Sequence, residues 1–218
     1  MNHGPILFLG LVTTLVASWT GFVALPHRQL GALQPDVSTN AAGAVVTYPA
    51  ARSGEAAQGA EVYRSLGCVA CHTQQVRPEN GSGDIARGWG KRRTVARDHL
   101  FDPTILLGNS RLGPDLANYG ERLGTNSFPL ARLYDPSSVV TNSTCAPVPF
   151  LFEQRPVRSS GPSAEAIVLK GISAPPAGSE VVPTLRARQL AAYLRSLSTT
   201  VELPEALLPL VEDANAPK

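Results

Sequence analysis

The N-terminal part of the chain is a long uncharged run of mostly apolar positions. Residues 5–25 (PILFLGLVTTLVASWTGFVAL) carry no charged side chain, and a helix needs about 20 apolar residues to cross the hydrocarbon core of a membrane. The segment therefore predicts a transmembrane helix within residues 1–28. A cleaved signal peptide is the alternative, but its apolar region is usually about 7–15 residues long and follows Lys or Arg. We therefore expect an uncleaved anchor.

The next stretch has no helical period. Residues 29–53 are rich in Ala, Gly, Pro, Val and small polar side chains, which predicts a tether. A folded domain is expected over residues 54–200, with a mobile tail over residues 201–218. A Pro-, Ser- and Gly-rich stretch over residues 154–183 predicts a long surface loop.

Apolar spacing, helix-forming residues and stop signals predict four helices in the domain. In the last helix, Leu190, Leu194 and Leu197 recur on one face beside Tyr193, so this face should pack on the first helix. Three arginines of this helix are expected to be solvated: Arg186, Arg188 and Arg195. The four predicted helices are residues 55–66, residues 115–123, residues 128–134 and a helix capped by Thr184.

Composition narrows the function classes. The 218 residues include 19 Lys and Arg against 17 Asp and Glu, a formal net charge of +2. This balance gives no case for nucleic-acid binding, because such domains usually carry a strong basic excess on one face. With 19 Gly, 19 Pro and 6% aromatic residues, the chain favours one small domain with long loops, a class that often needs a cofactor for stability.

The three cysteines predict a site and not a disulfide framework, because their number is odd and Cys145 lies far from the other two. The sequence Cys68-Val-Ala-Cys71-His72 has the spacing at which two thiols form thioether bonds to one haem and the next imidazole lies beneath the iron. It predicts one covalently attached haem c, with His72 as an axial ligand.

Three other interpretations of this motif are weaker. A thioredoxin-like pair would follow a strand, whereas a helix is predicted before Cys68. A zinc site made from Cys68, Cys71, His72 and Cys145 would crowd three ligands on one turn. A structural loop would leave free thiols in an exported chain, where thiols tend to oxidise.

The second axial position of the iron is unusual. Methionine is the common partner of histidine there, but Met1 is the only methionine of the chain. The candidates are Cys145, His99 or an open site.

Four stretches resemble the mono-haem c-type subunit, subunit II, of cbb3-type cytochrome c oxidases. The resemblance is close over residues 59–155 and looser over the anchor. It implies an all-α fold, with a class I cytochrome c-like domain with long loops after one N-terminal transmembrane helix. The stretches are YRSLGCVACHTQQVRP, RGWGKRRTVARDHL, LLGNSRLGPDLANYG and LARLYDPSSVVTNSTCAPVPFLFE.

The resemblance also implies a function, a place and partners. The chain would lie in the cell inner membrane as a single-pass protein with its haem domain on the periplasmic side. It would transfer electrons to the catalytic subunit of a haem-copper oxidase, alongside other c-type cytochrome subunits or donors, without a substrate site of its own. The alternative is a haem c enzyme or sensor that acts on a small sulfur or gaseous ligand. A zinc- or disulfide-stapled accessory protein is the structural alternative.

Position by position, the resemblance assigns further roles. Cys68 and Cys71 match the haem-attaching cysteines, and His72 matches the proximal ligand. Pro114, in a Gly-Pro pair, would accept a hydrogen bond from His72, which would fix the imidazole tautomer. Cys145 stands where the family has methionine, so we expect it to ligate the iron as a thiolate and lower the reduction potential.

A basic stretch surrounds Trp89. Such a run is usually a solvated face, but near a haem it could hold the propionates or an acidic partner surface. Trp89 itself would line the haem edge or pack in the core. The stretch comprises Arg87, Lys91, Arg92, Arg93, Arg97 and Arg111.

Overall fold

A computed structural model describes residues 2–39, 43–52, 54–123 and 130–208. These residues form two compact units, which are described separately. One unit comprises residues 1–50 with residues 95–102, and the other comprises residues 51–94 with residues 103–218.

The first unit begins with a continuous helical stretch. It consists of α1 (Gly4–Trp19), a π-helical turn (Thr20–Ala24) and α2 (Leu25–Gly31). The widened turn precedes Pro26, which has no N–H for the carbonyl four residues earlier.

This stretch is a candidate membrane span. Residues Gly4–Leu30 have a mean hydropathy of 2.0 over their most apolar window, and none of that window is buried inside the chain. Two of its threonines are satisfied within the helix, since Thr13 Oγ1 donates to Leu9 O and Thr14 Oγ1 to Leu11 O, each at 2.8 Å. Length and composition alone support the span, and a signal sequence would meet the same test.

A β-hairpin follows in the same unit. Strands β1 (Asp36–Thr39) and β2 (Val45–Tyr48) pair antiparallel, with Asp36 opposite Tyr48. The Tyr48 hydroxyl donates to Asp98 Oδ1 at 2.7 Å. Part of the segment predicted as an irregular tether is therefore regular structure.

The core of the second unit forms where its first and last helices cross. Helix α3 (Gly54–Ser65) confirms the helix predicted there, and α6 (Leu185–Ser196) begins after Thr184, whose hydroxyl accepts from Ala187 N as an N-cap. The helices approach closely: the rings of Tyr63 and Tyr193 lie 5.3 Å apart. The predicted apolar face of α6 is buried, as expected for its leucine spacing. The core comprises Val62, Tyr63, Leu106, Leu116, Tyr119, Leu151, Phe152, Val181, Ala187, Leu190, Tyr193, Leu194 and Leu197.

Two shorter helices complete the helical part of this unit. Helix α4 (Tyr119–Leu123) begins four residues later than predicted. The reason is Asp115, whose side chain accepts a hydrogen bond from Ala117 N at 2.9 Å and holds a turn there instead of a helix. Helix α5 is Leu130–Tyr134. The first two residues of the predicted helix 128–134 lie outside the described residues.

The all-α prediction is wrong. Besides the hairpin of the first unit, β3 (Phe152–Pro156) and β4 (Ser179–Pro183) form an antiparallel pair in the second unit. The predicted loop 154–183 therefore begins and ends in strands, because Val181 and Val182 are buried and Arg155 Nε donates to Glu180 Oε1 at 2.8 Å. The pairing could not be recognised in the sequence because the irregular residues 157–178 separate the two strands.

Short 3₁₀ turns connect these elements, and the start of the predicted tail is fixed. Leu203 is fully buried, and Arg92 Nε donates to Val201 O at 2.6 Å. Residues 209–218 of that tail lie outside the described residues. The 3₁₀ turns are Cys68–Ala70, Glu79–Gly81, Ala96–His99, Pro136–Ser138, Pro149–Leu151 and Gly171–Ser173.

Replacing Gly59 by alanine is expected to lower the free energy of unfolding by about 3 kcal/mol, because it over-packs the crossing of α3 and α6. A Cβ at Gly59 would lie 1.9 Å from Gln189 O and 2.7 Å from Tyr193 Cβ. Denaturant unfolding of the solubilised chain, followed by circular dichroism, measures the change. Gly83→Ala is the matched control, since a Cβ there meets nothing closer than Arg87 at 3.9 Å. Equal stability of the two variants would contradict the prediction.

Candidate haem site

The C-x-x-C-H motif lies directly after α3. Gly67 adopts a left-handed conformation with φ of 72°, which ends the helix as glycine commonly does. The chain then turns tightly, since Ala70 N donates to Gly67 O at 2.9 Å and His72 N to Cys68 O at 3.0 Å. Two thiols and one imidazole are thereby presented from a single turn.

The ring of His72 is held by a backbone carbonyl. Its Nδ1 lies 2.8 Å from Pro114 O. Because a carbonyl only accepts, this hydrogen bond assigns the proton to Nδ1 and leaves the Nε2 lone pair available. Main-chain bonds flank the contact on both sides: Gly113 N donates to Cys71 O at 2.9 Å and Leu116 N to Thr73 O at 2.7 Å.

Two glycines make room for this arrangement. A Cβ at Gly113 would lie 2.3 Å from Cε1 of the His72 ring, and a Cβ at Gly108 would lie 2.3 Å from His72 O. Gly108 also has a φ of +71°, which favours glycine. Both positions therefore keep side-chain atoms away from the imidazole and its backbone.

The three cysteines are free thiols in the structure. The pKa of Cys68 is raised to about 11, mainly by burial and to a smaller extent by the neighbouring Cys145 and Cys71 thiols. Partial burial, then the Cys71 thiol, raise the pKa of Cys145, whereas Arg132 acts to lower it. Because charges shift each other's pKa only over short distances, Cys145 lies in the neighbourhood of the motif, with its side chain exposed.

The zinc interpretation gains no support. Across the described ranges, which omit residues 1, 40–42, 53, 124–129 and 209–218, no three His, Cys, Asp or Glu side chains are grouped to hold a metal ion. The helix before Cys68 likewise differs from the strand that a thioredoxin-like motif would follow.

The donor set fits a haem. Cys68 is half-buried against the core and Cys71 is exposed, so both sulfurs are free to react. Among the described residues, His72 Nε2 has no hydrogen-bond partner, which suits a metal ligand whose other nitrogen is already held. Leu112, directly before Gly113, is 76% exposed and offers apolar surface in the same segment.

His99 is the second candidate for the distal ligand. It belongs to the first unit, whereas the C-x-x-C-H motif belongs to the second. Its Nδ1 lies 2.9 Å from Asp102 Oδ2, and its side chain is 12% exposed. Asp98, its neighbour in sequence, accepts from Tyr48 and from Val95 N. His99 is therefore enclosed by its own unit, and among the described residues its Nε2 has no hydrogen-bond partner.

One arginine of the basic stretch, Arg92, is internal, so the solvated-face interpretation is wrong for this residue. Arg92 is 1% exposed and donates to Val201 O and Arg93 O. Arg97 donates to Gln34 O in the first unit.

Trp89 is half-buried and flanked by cations. The guanidinium of Arg87 lies 5.1 Å from its ring centroid, and that of Arg111 lies 5.7 Å away. Such cation–π contacts support a packing role for Trp89.

Sequence reasoning missed a buried polar network next to the motif. Arg111 donates to Asp84 Oδ1 at 2.5 Å, to Thr73 Oγ1 at 3.1 Å and to Gln75 O at 2.6 Å. Burial acts to raise the pKa of Asp84, but hydrogen bonds from Arg111 and Arg77 N outweigh it and hold that pKa below its usual value. The one available signal in the sequence was that Thr73, a member of this network, directly follows His72.

Comparison with known families identifies the family of this chain. The family model described as "Cytochrome C oxidase, mono-heme subunit/FixO" matches residues 11–201, and this confirms the resemblance found in the sequence. A comparison with curated proteins gave no match. The matched range includes the C-x-x-C-H motif, Pro114 and Cys145. Because it covers most of the chain, this protein belongs to the FixO family of mono-haem cytochrome c oxidase subunits.

Proposed function

We propose that this oxidase subunit is a membrane-anchored c-type cytochrome that passes single electrons to the catalytic subunit of a cbb3-type haem-copper oxidase. The observation that carries the proposal is the 2.8 Å contact of His72 Nδ1 with Pro114 O, directly beside two free thiols. An imidazole held in this way presents Nε2 as a ligand. The subunit itself needs no substrate site.

The attachment chemistry follows from the two thiols. Each would add across a vinyl group of the haem: sulfur bonds to one vinyl carbon and the proton moves to the other, so no oxidant is consumed. When bound, the haem supplies one-electron chemistry. His72 would hold the iron through Nε2, and Pro114 would hold the proton of Nδ1 in place.

The anchor and orientation belong to the same proposal. Helical residues Gly4–Leu30 would span the inner membrane once, and the haem domain would lie on the periplasmic side. There the subunit would contact the catalytic subunit and receive electrons from other c-type cytochrome subunits or donors. Family membership and the apolar helix support this arrangement.

We also propose Cys145 as the distal ligand. Its thiol influences the pKa of Cys68, and the Cys71 thiol influences its own, which supports a position near the haem. Its side chain is exposed and forms no disulfide, so its sulfur is free to bind. The side chain of His99 is only 12% exposed and suits the role less well.

Haem staining after denaturing electrophoresis tests the attachment, because only a covalent haem survives that treatment. The full chain is expected to stain. Cys68→Ala with Cys71→Ala should abolish the stain, whereas Cys145→Ser, the matched cysteine control, should retain it. An unstained wild-type chain would overturn the c-type assignment. Co-purification of a haem-copper catalytic subunit from solubilised membranes tests the partner.

A further inference from the structure

Two buried polar residues flank the His72–Pro114 contact in sequence. Thr73 follows His72 and is 2% exposed, and Asp115 follows Pro114 and is fully buried. The Thr73 hydroxyl donates to Asp115 Oδ2 at 2.6 Å. A second hydrogen bond therefore joins the two segments next to the His72–Pro114 contact, between the residues that directly follow His72 and Pro114.

Each member of this pair is fixed from other directions as well. The Thr73 hydroxyl also accepts from Arg111 Nε at 3.1 Å. Asp115 Oδ2 accepts from Gln75 N at 2.7 Å and lies 3.8 Å from Arg111 Nη2. The Thr73–Asp115 pair thus has little freedom, because backbone N–H groups and a guanidinium define where it lies.

The Thr73–Asp115 pair is coupled to the imidazole through the backbone, because Thr73 is bonded to His72 and Asp115 to Pro114. A change in the Thr73–Asp115 distance moves the backbone on both sides of the contact between His72 Nδ1 and Pro114 O. The strength of that contact sets the basicity of a ligating imidazole, because a well-held Nδ1 proton makes Nε2 a better donor. A stronger donor stabilises ferric iron and lowers the reduction potential.

We propose that Thr73 and Asp115 are positioning residues for the axial imidazole of His72, and that their hydrogen bond keeps the haem potential low. The inference rests on the proposed attachment of haem at Cys68, Cys71 and His72. It assigns a role to two residues that touch neither the iron nor the thiols.

The test is a redox titration of the solubilised full chain at constant pH, with the midpoint potential of the haem as the readout. Thr73→Val removes the hydroxyl at nearly constant shape and is expected to raise the midpoint potential. Thr73→Ser keeps the hydroxyl and should restore the wild-type value. Thr199→Val is the matched control: Thr199 is also buried, but its hydroxyl donates to Asn118 Oδ1 at 3.0 Å. That variant should leave the potential unchanged.

The outcomes separate this inference from the proposed function. Unchanged potentials in Thr73→Val with the covalent haem retained would overturn the positioning role alone, as would equal shifts in Thr73→Val and Thr199→Val. A wild-type chain without covalent haem would instead overturn the proposed function. If Thr73→Val yields no holoprotein, Thr73→Ala decides by the same criterion, because it also removes the hydroxyl and leaves every charged side chain in place.

Discussion

Replacing Gly113 by alanine is expected to abolish ligation of the haem iron by His72. The added Cβ would lie 2.3 Å from Cε1, 2.7 Å from Nδ1 and 2.9 Å from Nε2 of the imidazole. The ring would have to move, and it cannot move while Nδ1 keeps its 2.8 Å contact with Pro114 O. Absorption and electron paramagnetic resonance spectra should change from those of the wild-type chain to those of an iron without its histidine.

The matched control is the same substitution where there is space. Gly83→Ala places its Cβ no closer than 3.9 Å to the side chain of Arg87 and should leave the haem spectra unchanged. A Gly113→Ala chain with wild-type spectra and potential would contradict the prediction, and with it the account of why the Gly-Pro pair begins with glycine.

Local signals account for the parts of the fold that were predicted well. The helix before Cys68 has good helix formers followed by Gly67. Its hydrogen bonds join residues four positions apart, so it needs no distant partner. The last helix carries its own N-cap in Thr184 and a leucine face. The C-x-x-C-H motif is equally local, since its five residues share one turn. Each of these features depends on residues within a few positions of one another.

The strands were missed because their signals are not local. Glu153 pairs with Val182, and residues 157–178 lie between the two strands. Two-stranded sheets have short runs and half-exposed faces, so their alternation is weak in a sequence rich in Pro and Gly. The burial of Val181 and Val182 depends on tertiary contacts.

The polar residues around the site were missed for a related reason. Charge patterns predict solvated faces, but Arg111 is enclosed because it meets Asp84 from a distant segment as well as Asp115, four residues further along its own segment. Buried charges are retained when partners and hydrogen bonds surround them. Nothing in the run of charges itself says which arginine will meet two buried carboxylates.

Replacing Cys145 by methionine is expected to raise the midpoint potential of the haem strongly. Thiolate sulfur is anionic and favours ferric iron, whereas the neutral thioether of methionine favours ferrous iron. Axial ligands set haem potentials over roughly 0.8 V, and exchange of thiolate for thioether should cover a substantial part of that range. Cys145 is exposed, so a longer side chain can be accommodated there. Redox titration measures the shift.

Spectra of three chains decide the identity of the distal ligand. The wild-type chain should give a low-spin His/thiolate signature, and Cys145→Met should replace it with a His/Met signature. Cys145→Ser should lose both while it keeps the covalent haem, because Cys68 and Cys71 are untouched. A wild-type signature that persists in Cys145→Ser would contradict thiolate ligation. The iron would then take its sixth ligand from elsewhere, and the position equivalent to the family's methionine would have lost its role in this chain.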